Sequence, residues 1–248
     1  MKRLVSVVAS AALAVGLVCA GSPASASPGC DRPDEAVGIT VSTQDSTILG
    51  PLQTATFFFE ATARTACLAD YPLTLDVRTA STRSIPLVPT TVLKDREQGF
   101  TFYRGTFTAD AAALTNADAG EWLFEITLGD VGFGLRPYDV LRRTRLSFDA
   151  GPEPLRRNHR LTFRGALQVA DWERDRYRGL AGQPVGIVAI DSQTTVPWVP
   201  LVETTTRRHG RYRVRHEVPG TDRYEAVYHG TRGIAFTVSR IDAVAERT

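Results

Sequence analysis

Apolar and polar residues alternate in short runs along most of the chain. In RYRVRHEV, residues 211–218, Tyr212, Val214, His216 and Val218 share one parity, and Arg211, Arg213, Arg215 and Glu217 share the other. Successive side chains on a strand point to opposite faces, so this pattern predicts a strand buried on one side and wet on the other. RLTFRGALQV, residues 160–169, groups Leu161, Phe163, Leu167 and Val169 in the same way, with Gly165 marking an expected bulge. PVGIVAI, RYEAVYH and GIAFTVS follow, with Gly, Pro or Asp near their ends. The first half reads alike in QTATFFFEATA, LTLDVRT, FTFYRGTFT, GEWLFEITLG and LRRTRLSFDA, and Trp122, Phe124 and Ile126 share a face. ADAAALTNADAG, residues 109–120, predicts a loop or one helical turn. Frequent short strands with no helices between them predict an all-β fold, two tandem Ig-like β-sandwiches. Trp122 follows both Cys30 and Cys67, so "Ig-like" describes an architecture and not the antibody Cys, Trp, Cys order.

The segment AGPEPLRRN combines two Pro, a Gly and charges, and predicts a linker at residues 151–158. It would divide an N-terminal β-sandwich domain at 27–150 from a C-terminal one at 159–248, each long enough for one core. Ahead of both, Lys2 and Arg3 precede an uncharged apolar run from Leu4 to Val18, and Ala24-Ser25-Ala26 forms an A-x-A site. This is the pattern of a signal peptide, residues 1–26, cleaved after Ala26. Its apolar stretch is shorter than the roughly 20 residues of a membrane-spanning helix. No second such run follows, so the expectation is a secreted chain with no transmembrane segment.

Export bears on the cysteines. Cys30 and Cys67 remain after cleavage and predict a disulfide, since no His stands near them to make a metal site. Charge is uneven along the mature chain: residues 27–150 carry 11 basic and 16 acidic groups, residues 151–248 carry 16 basic and 11 acidic. All 16 of those basic residues are Arg, while Lys occurs only at Lys2 and Lys94. The asymmetry fits domains that dock on each other, or an anionic partner for the second half.

Chemistry-bearing patterns are few. Asp171, Glu173 and Asp175 are spaced like the first calcium ligands of an EF-hand, but Arg176 and Gly182 stand where that loop needs Gly and a carboxylate. The same stretch reads better as a structural plug: Asp171 capping a short turn, Gly179 ending it, Trp172 stacked with Arg176, and Trp172 and Tyr177 folded over an open end of the sandwich. Arg207, Arg208, Arg211, Arg213 and Arg215 form a stripe that is either a solvated face or a polyanion site. No stacking aromatic residues alternate with them on that face, which disfavours nucleic acid. Trp198, between Pro197 and Pro200, is a candidate aromatic platform for a sugar. The chain has no G-x-S-x-G, H-E-x-x-H or C-x-x-C motif, its four His are scattered, and no metal or other cofactor is expected. A carboxylate pair of the glycosidase kind is set by separation in space and leaves no sequence spacing to find.

LTNADAGEW at 114–122, RTRLSFDAGPEPLRRNHRLTFRGAL at 143–167, ADWERDRYRGLAGQPV at 170–185 and GRYRVRHEVPGTDRYEAVYHGT at 210–231 together resemble a family of exported actinobacterial two-domain proteins, mostly uncharacterised. The resemblance implies a signal, two β-domains and an intervening hinge, and carries over no catalytic residue. The strand after AGQPV is often basic in that family; here it is GIVAIDSQTTVPWVPLVE. The sequence therefore predicts a secreted, non-catalytic structural or interaction module of the cell envelope, acting on an envelope polymer or another extracellular protein. A polyanion or carbohydrate binder using the Arg stripe is the main alternative, and a secreted hydrolase without a recognisable motif is another.

Overall fold

The computed structural model describes residues 37–43, 47–64, 73–86, 91–97, 99–128, 131–152, 160–190, 198–218 and 223–244. Among these, all regular structure is strand apart from single 3-10 turns, as the alternation of apolar and polar positions predicts. The strands form four sheets that pack as two β-sandwiches.

In the first sandwich one sheet has the order β1 (Val37–Thr43), β3 (Thr54–Arg64), β7 (Phe100–Asp110) and β6 (Thr91–Glu97). The other has β2 (Ile48–Leu49), β9 (Val131–Arg142), β8 (Gly120–Leu128), β4 (Leu73–Arg78) and β5 (Ser84–Pro86). All pairs are antiparallel except β2 with β9. The core between them is aromatic: Phe57 stacks on Phe107 at 4.9 Å and packs on Phe124 at 5.3 Å, with Trp122 fully buried beside them. A buried indole N–H needs a partner, and Trp122 Nε1 donates to the Asp118 carbonyl at 2.7 Å.

The second sandwich sets β10 (Thr144–Gly151) against β11 (Arg160–Asp171), and both β12 (Arg176–Gly179) and β15 (Arg211–Glu217) share the opposite edge of β11. The facing sheet runs β14 (Trp198–Thr205), β13 (Pro184–Ile190) and β16 (Arg223–Tyr228), with the short β17 (Thr237–Val238) and β18 (Asp242–Ala243) on β16. Leu161, Phe163, Leu167, Tyr212 and Tyr224 fill the space between.

Strand pairing moves the expected boundary. The 151–158 segment joins two adjacent antiparallel strands, with Thr144 opposite Val169 and Gly151 opposite Thr162, so β10 belongs to the second sandwich. The change of sandwich falls at Arg143, between β9 and β10. Pro and Gly mark chain reversal, and a reversal inside a hairpin carries the same residues as one between domains.

Gly165 is no bulge either, for its pairings with Phe148 and Tyr212 continue both registers unbroken. Its role is space. A Cβ at this position would lie 2.0 Å from the Ser147 carbonyl oxygen and 2.5 Å from the Tyr212 hydroxyl. The missing side chain lets Tyr212 cross β11 and donate to Ser147 O on β10 at 2.7 Å. Burial pushes the Tyr212 phenol pKa well above its ordinary value.

Candidate functional site

The solvent face of the β10-β11-β15 sheet carries the strongest chemical feature of the described residues. On β15, Tyr212 is buried while Arg211, Arg213 and Arg215 are exposed, as the alternation predicts. Arg207 and Arg208 are exposed at the turn that leads into β15. Arg213 lies directly opposite Arg164 of β11. Like charges in that cross-strand position are unfavourable. Arg164 is balanced by Asp149 of β10 at 2.6 Å.

The five arginines of the stripe behave differently from most others on the surface. Arg78 meets Glu125 at 3.1 Å, Arg104 meets Glu60 at 2.6 Å and Arg160 meets Glu217 at 3.3 Å, each across neighbouring strands. Arg207, Arg208, Arg211, Arg213 and Arg215 make no side-chain ion pair or hydrogen bond with another described residue. A groove of about 480 Å³ runs over this face, lined by Arg164, Arg207, Arg211, Arg213, Ser147 and Asp149 among others. Its formal charge is strongly positive, with four guanidinium groups against one carboxylate. A second hollow of about 270 Å³ continues it past Arg164 and Arg213 to Thr162 and Gly151.

Trp172 and Tyr177 are structural, but they close a different space from the expected one. Trp172 is 1% exposed and joins the core cluster of the first sandwich with Leu49 and Ala170. Its indole N–H donates to the Leu49 carbonyl at 3.3 Å, 123 residues away. Tyr177 packs at the edge of the same cluster, under the guanidinium of Arg145 at 3.7 Å from the ring centre. The ADW turn is thus a plug that the second sandwich inserts into the first. The expected stack of Trp172 with Arg176 is replaced by the Arg145–Tyr177 stack.

Asp171 does not cap its turn, and is used instead at the joint. Its fully buried carboxylate accepts from Asn116 Nδ2 at 2.8 Å and Arg174 Nη1 at 3.1 Å, with Arg178 at 3.4 Å. Burial alone would raise its pKa; the Asn116 and Arg174 hydrogen bonds and the charges of Arg178 and Arg174 outweigh this and hold it below 3.8. The turn ends at Asp175, with φ 51°, in place of Gly179. Gly179 serves the seam between β12 and the turn Arg208–Gly210 that leads into β15, where a Cβ would lie 2.1 Å from the His209 carbonyl oxygen.

On the other side of the joint, Asn116 belongs to the ADAAALTNADAG segment, which forms two 3-10 turns, Ala111–Ala113 and Asn116–Asp118. Asn116 Oδ1 accepts from the Trp172 backbone N–H at 3.1 Å, and its own N–H donates to Glu173 Oε1 at 3.2 Å. The loop is held rigid by Asp118, fully buried, which accepts from Thr79, Ser81 and Thr115 and pairs with Arg83 at 3.3 Å. Burial opposes ionisation of Asp118, but the hydrogen bonds from Ser81, Thr115 and Thr79 win and keep its pKa low. Arg142 is also buried here, its Nε donating to the Ala170 carbonyl at 2.7 Å while Nη2 finds no partner among the described residues. Burial and the neighbouring Arg178 charge lower its pKa. The two sandwiches are therefore docked, through side chains of both LTNADAGEW and ADWERDRY.

Trp198 opens β14, but its side chain lies outside the described residues, and so do Cys30 and Cys67. Among the described residues no helix is long and apolar enough to cross a membrane.

These features define a tandem Ig-like β-sandwich protein with a cationic sheet face. No protein-family model matches the chain, and no characterised protein matches it. Among solved structures, the native Escherichia coli alpha-2-macroglobulin is similar over 90% of this chain at 16% identity, with a TM-score of 0.35. A Salmonella alpha-2-macroglobulin mutant is similar over 87% at 14% identity and 0.32, and the D0-D1 domain of intimin over 83% at 10% identity and 0.28. The chain spans 14% and 15% of the two macroglobulins and 97% of the intimin fragment.

Proposed function

We propose that this protein is an exported, non-catalytic binding module of the cell envelope that holds an anionic polymer on the arginine face of its second sandwich. Export is supported by the signal pattern of residues 1–26, which also agrees with membership of the actinobacterial family the sequence resembles. The observation that carries the binding role is the contrast between this face and other arginine-bearing strands. Cross-strand carboxylates meet Arg78, Arg104 and Arg160, whereas five arginines on and beside β15 have no described counter-ion. Concentrating unpaired charge costs self-repulsion and gains long-range attraction for a polymer of opposite sign. The groove and the hollow that continues it past Arg164 and Arg213 suit a chain bearing phosphate or carboxylate groups.

The test is retention of the secreted protein on heparin and on isolated cell wall at low salt. Screening shortens the reach of charge from about 10 Å at 0.1 M salt to about 3 Å at 1 M, so elution should follow ionic strength. The triple variant Arg211→Gln, Arg213→Gln, Arg215→Gln should elute at markedly lower salt with an unchanged melting temperature. Failure of the native protein to bind either matrix at low salt, or equal elution of the variant, overturns the proposal.

A further inference from the structure

The first sandwich has its own departure from pattern. In TATFFFEATAR, Phe57 and Phe59 face the core, so the pleat turns Phe58 outward, where a polar residue is expected. On β7 the same face presents Phe102, Arg104 and Thr106, because Tyr103 and Phe107 point inward. The register sets Phe58 opposite Thr106, Glu60 opposite Arg104 and Thr62 opposite Phe102. One row therefore reads aromatic, ion pair, aromatic. The two rings are offset by four residues, about 13 Å along the strands at roughly 3.3 Å per residue. Midway, Arg104 Nε donates to Glu60 Oε2 at 2.6 Å, and the guanidinium lies 5.4 Å from the Phe102 ring centre.

Phe58, Glu60 and Arg104 line a groove of about 490 Å³ with the hydroxyl-bearing Thr40, Ser42 and Thr106. That volume falls within the roughly 300–1,000 Å³ usual for small-molecule sites. The chemistry is specific in kind. A half-exposed ring offers a flat apolar floor, Glu60 accepts hydrogen bonds, Arg104 donates them, and the paired charges leave no net attraction for an ion. A neutral pyranose has the complementary surface: an apolar C–H face and a rim of hydroxyls that both donate and accept.

We infer that the solvent face of the β3-β7 strand pair is a second binding site, for a neutral glycan of a few hexopyranose units, with Phe58 as the stacking platform and the Glu60–Arg104 pair as the hydroxyl clamp. This site is independent of the arginine face, and salt separates the two.

Calorimetric titration of the secreted protein with cellohexaose, maltohexaose and chitohexaose in about 0.5 M NaCl, where the Debye length is under 5 Å, removes the electrostatic site. At least one oligosaccharide should bind, and the triple arginine variant should bind it equally well. Phe58→Ala should weaken binding by on the order of tenfold, the loss of one stacking ring. The pair Glu60→Gln, Arg104→Met tests the clamp without touching an aromatic residue, and should weaken binding with the melting temperature preserved. Absence of heat with all three sugars, or full affinity in either folded variant, overturns the inference; loss of heparin retention alone does not bear on it.

Discussion

Replacing Trp172 by Ala should uncouple the two sandwiches. The indole is 1% exposed, belongs to a turn of the second sandwich, and is packed in the core of the first. A Trp side chain buries about 150–250 Å², which at about 25 cal/mol per Å² corresponds to roughly 4–6 kcal/mol. Measured Trp truncations cluster at about 3–5 kcal/mol, and the Leu49 carbonyl would lose its donor as well. For a protein of this size each kcal/mol shifts the midpoint by about 2–4 °C, so the effect on melting is on the order of 10 °C. The loss should also divide one cooperative transition into two, because Trp172 links the cores. Urea unfolding followed in parallel by far-ultraviolet circular dichroism and fluorescence reads both effects. A variant that melts with native midpoint and a single coincident transition would show that the plug carries no coupling.

Two further outcomes follow from the same contacts. Gly165→Ala should destabilise by about 1–3 kcal/mol through overpacking, because its Cβ lies 2.0 Å from the Ser147 carbonyl oxygen; urea midpoints check it, and a neutral effect would mean that Tyr212 does not cross β11 there. Asp118 and Asp171 both have pKa values held below 3.8 in the folded state, so their stabilisation is complete above that value and is lost as pH falls through the folded values. Unfolding midpoints should therefore fall steeply below about pH 4, with a shallower fall in Asp171→Asn; equal slopes would refute the assignment.

The strands were legible because one-sided burial writes itself as alternation, clearest in RYRVRHEV, where each outward position is charged and Tyr212 and Val218 are buried. The arginine stripe was legible for the same reason. What the stripe faces was not, since Arg164 and Asp149 reach it only through strand register. The joint was half visible: ADWERDRY announced a plug, but its socket is built from Asn116, 55 residues distant, and Leu49, 123 residues distant. Local rules also misassigned the end of that turn, because Tyr177 must pair with Ala170 and Asp175 adopts the left-handed conformation to bring it there. The Phe58 face is not legible in the sequence because TFFFE reads as a plain apolar run, and only the identity of the buried pair, Phe57 and Phe59, tells which ring is left outside.

Strand β11 has a mechanical consequence. Its C-terminal end is fastened into the first sandwich through Ala170 and the Trp172 turn, while its middle supports the arginine strand and Arg164. A tug on a polymer held there, with the first sandwich tethered, runs lengthwise down β11. Its ladders to β10, β12 and β15 then bear the load side by side in shear, and many hydrogen bonds must yield together before the molecule lets go.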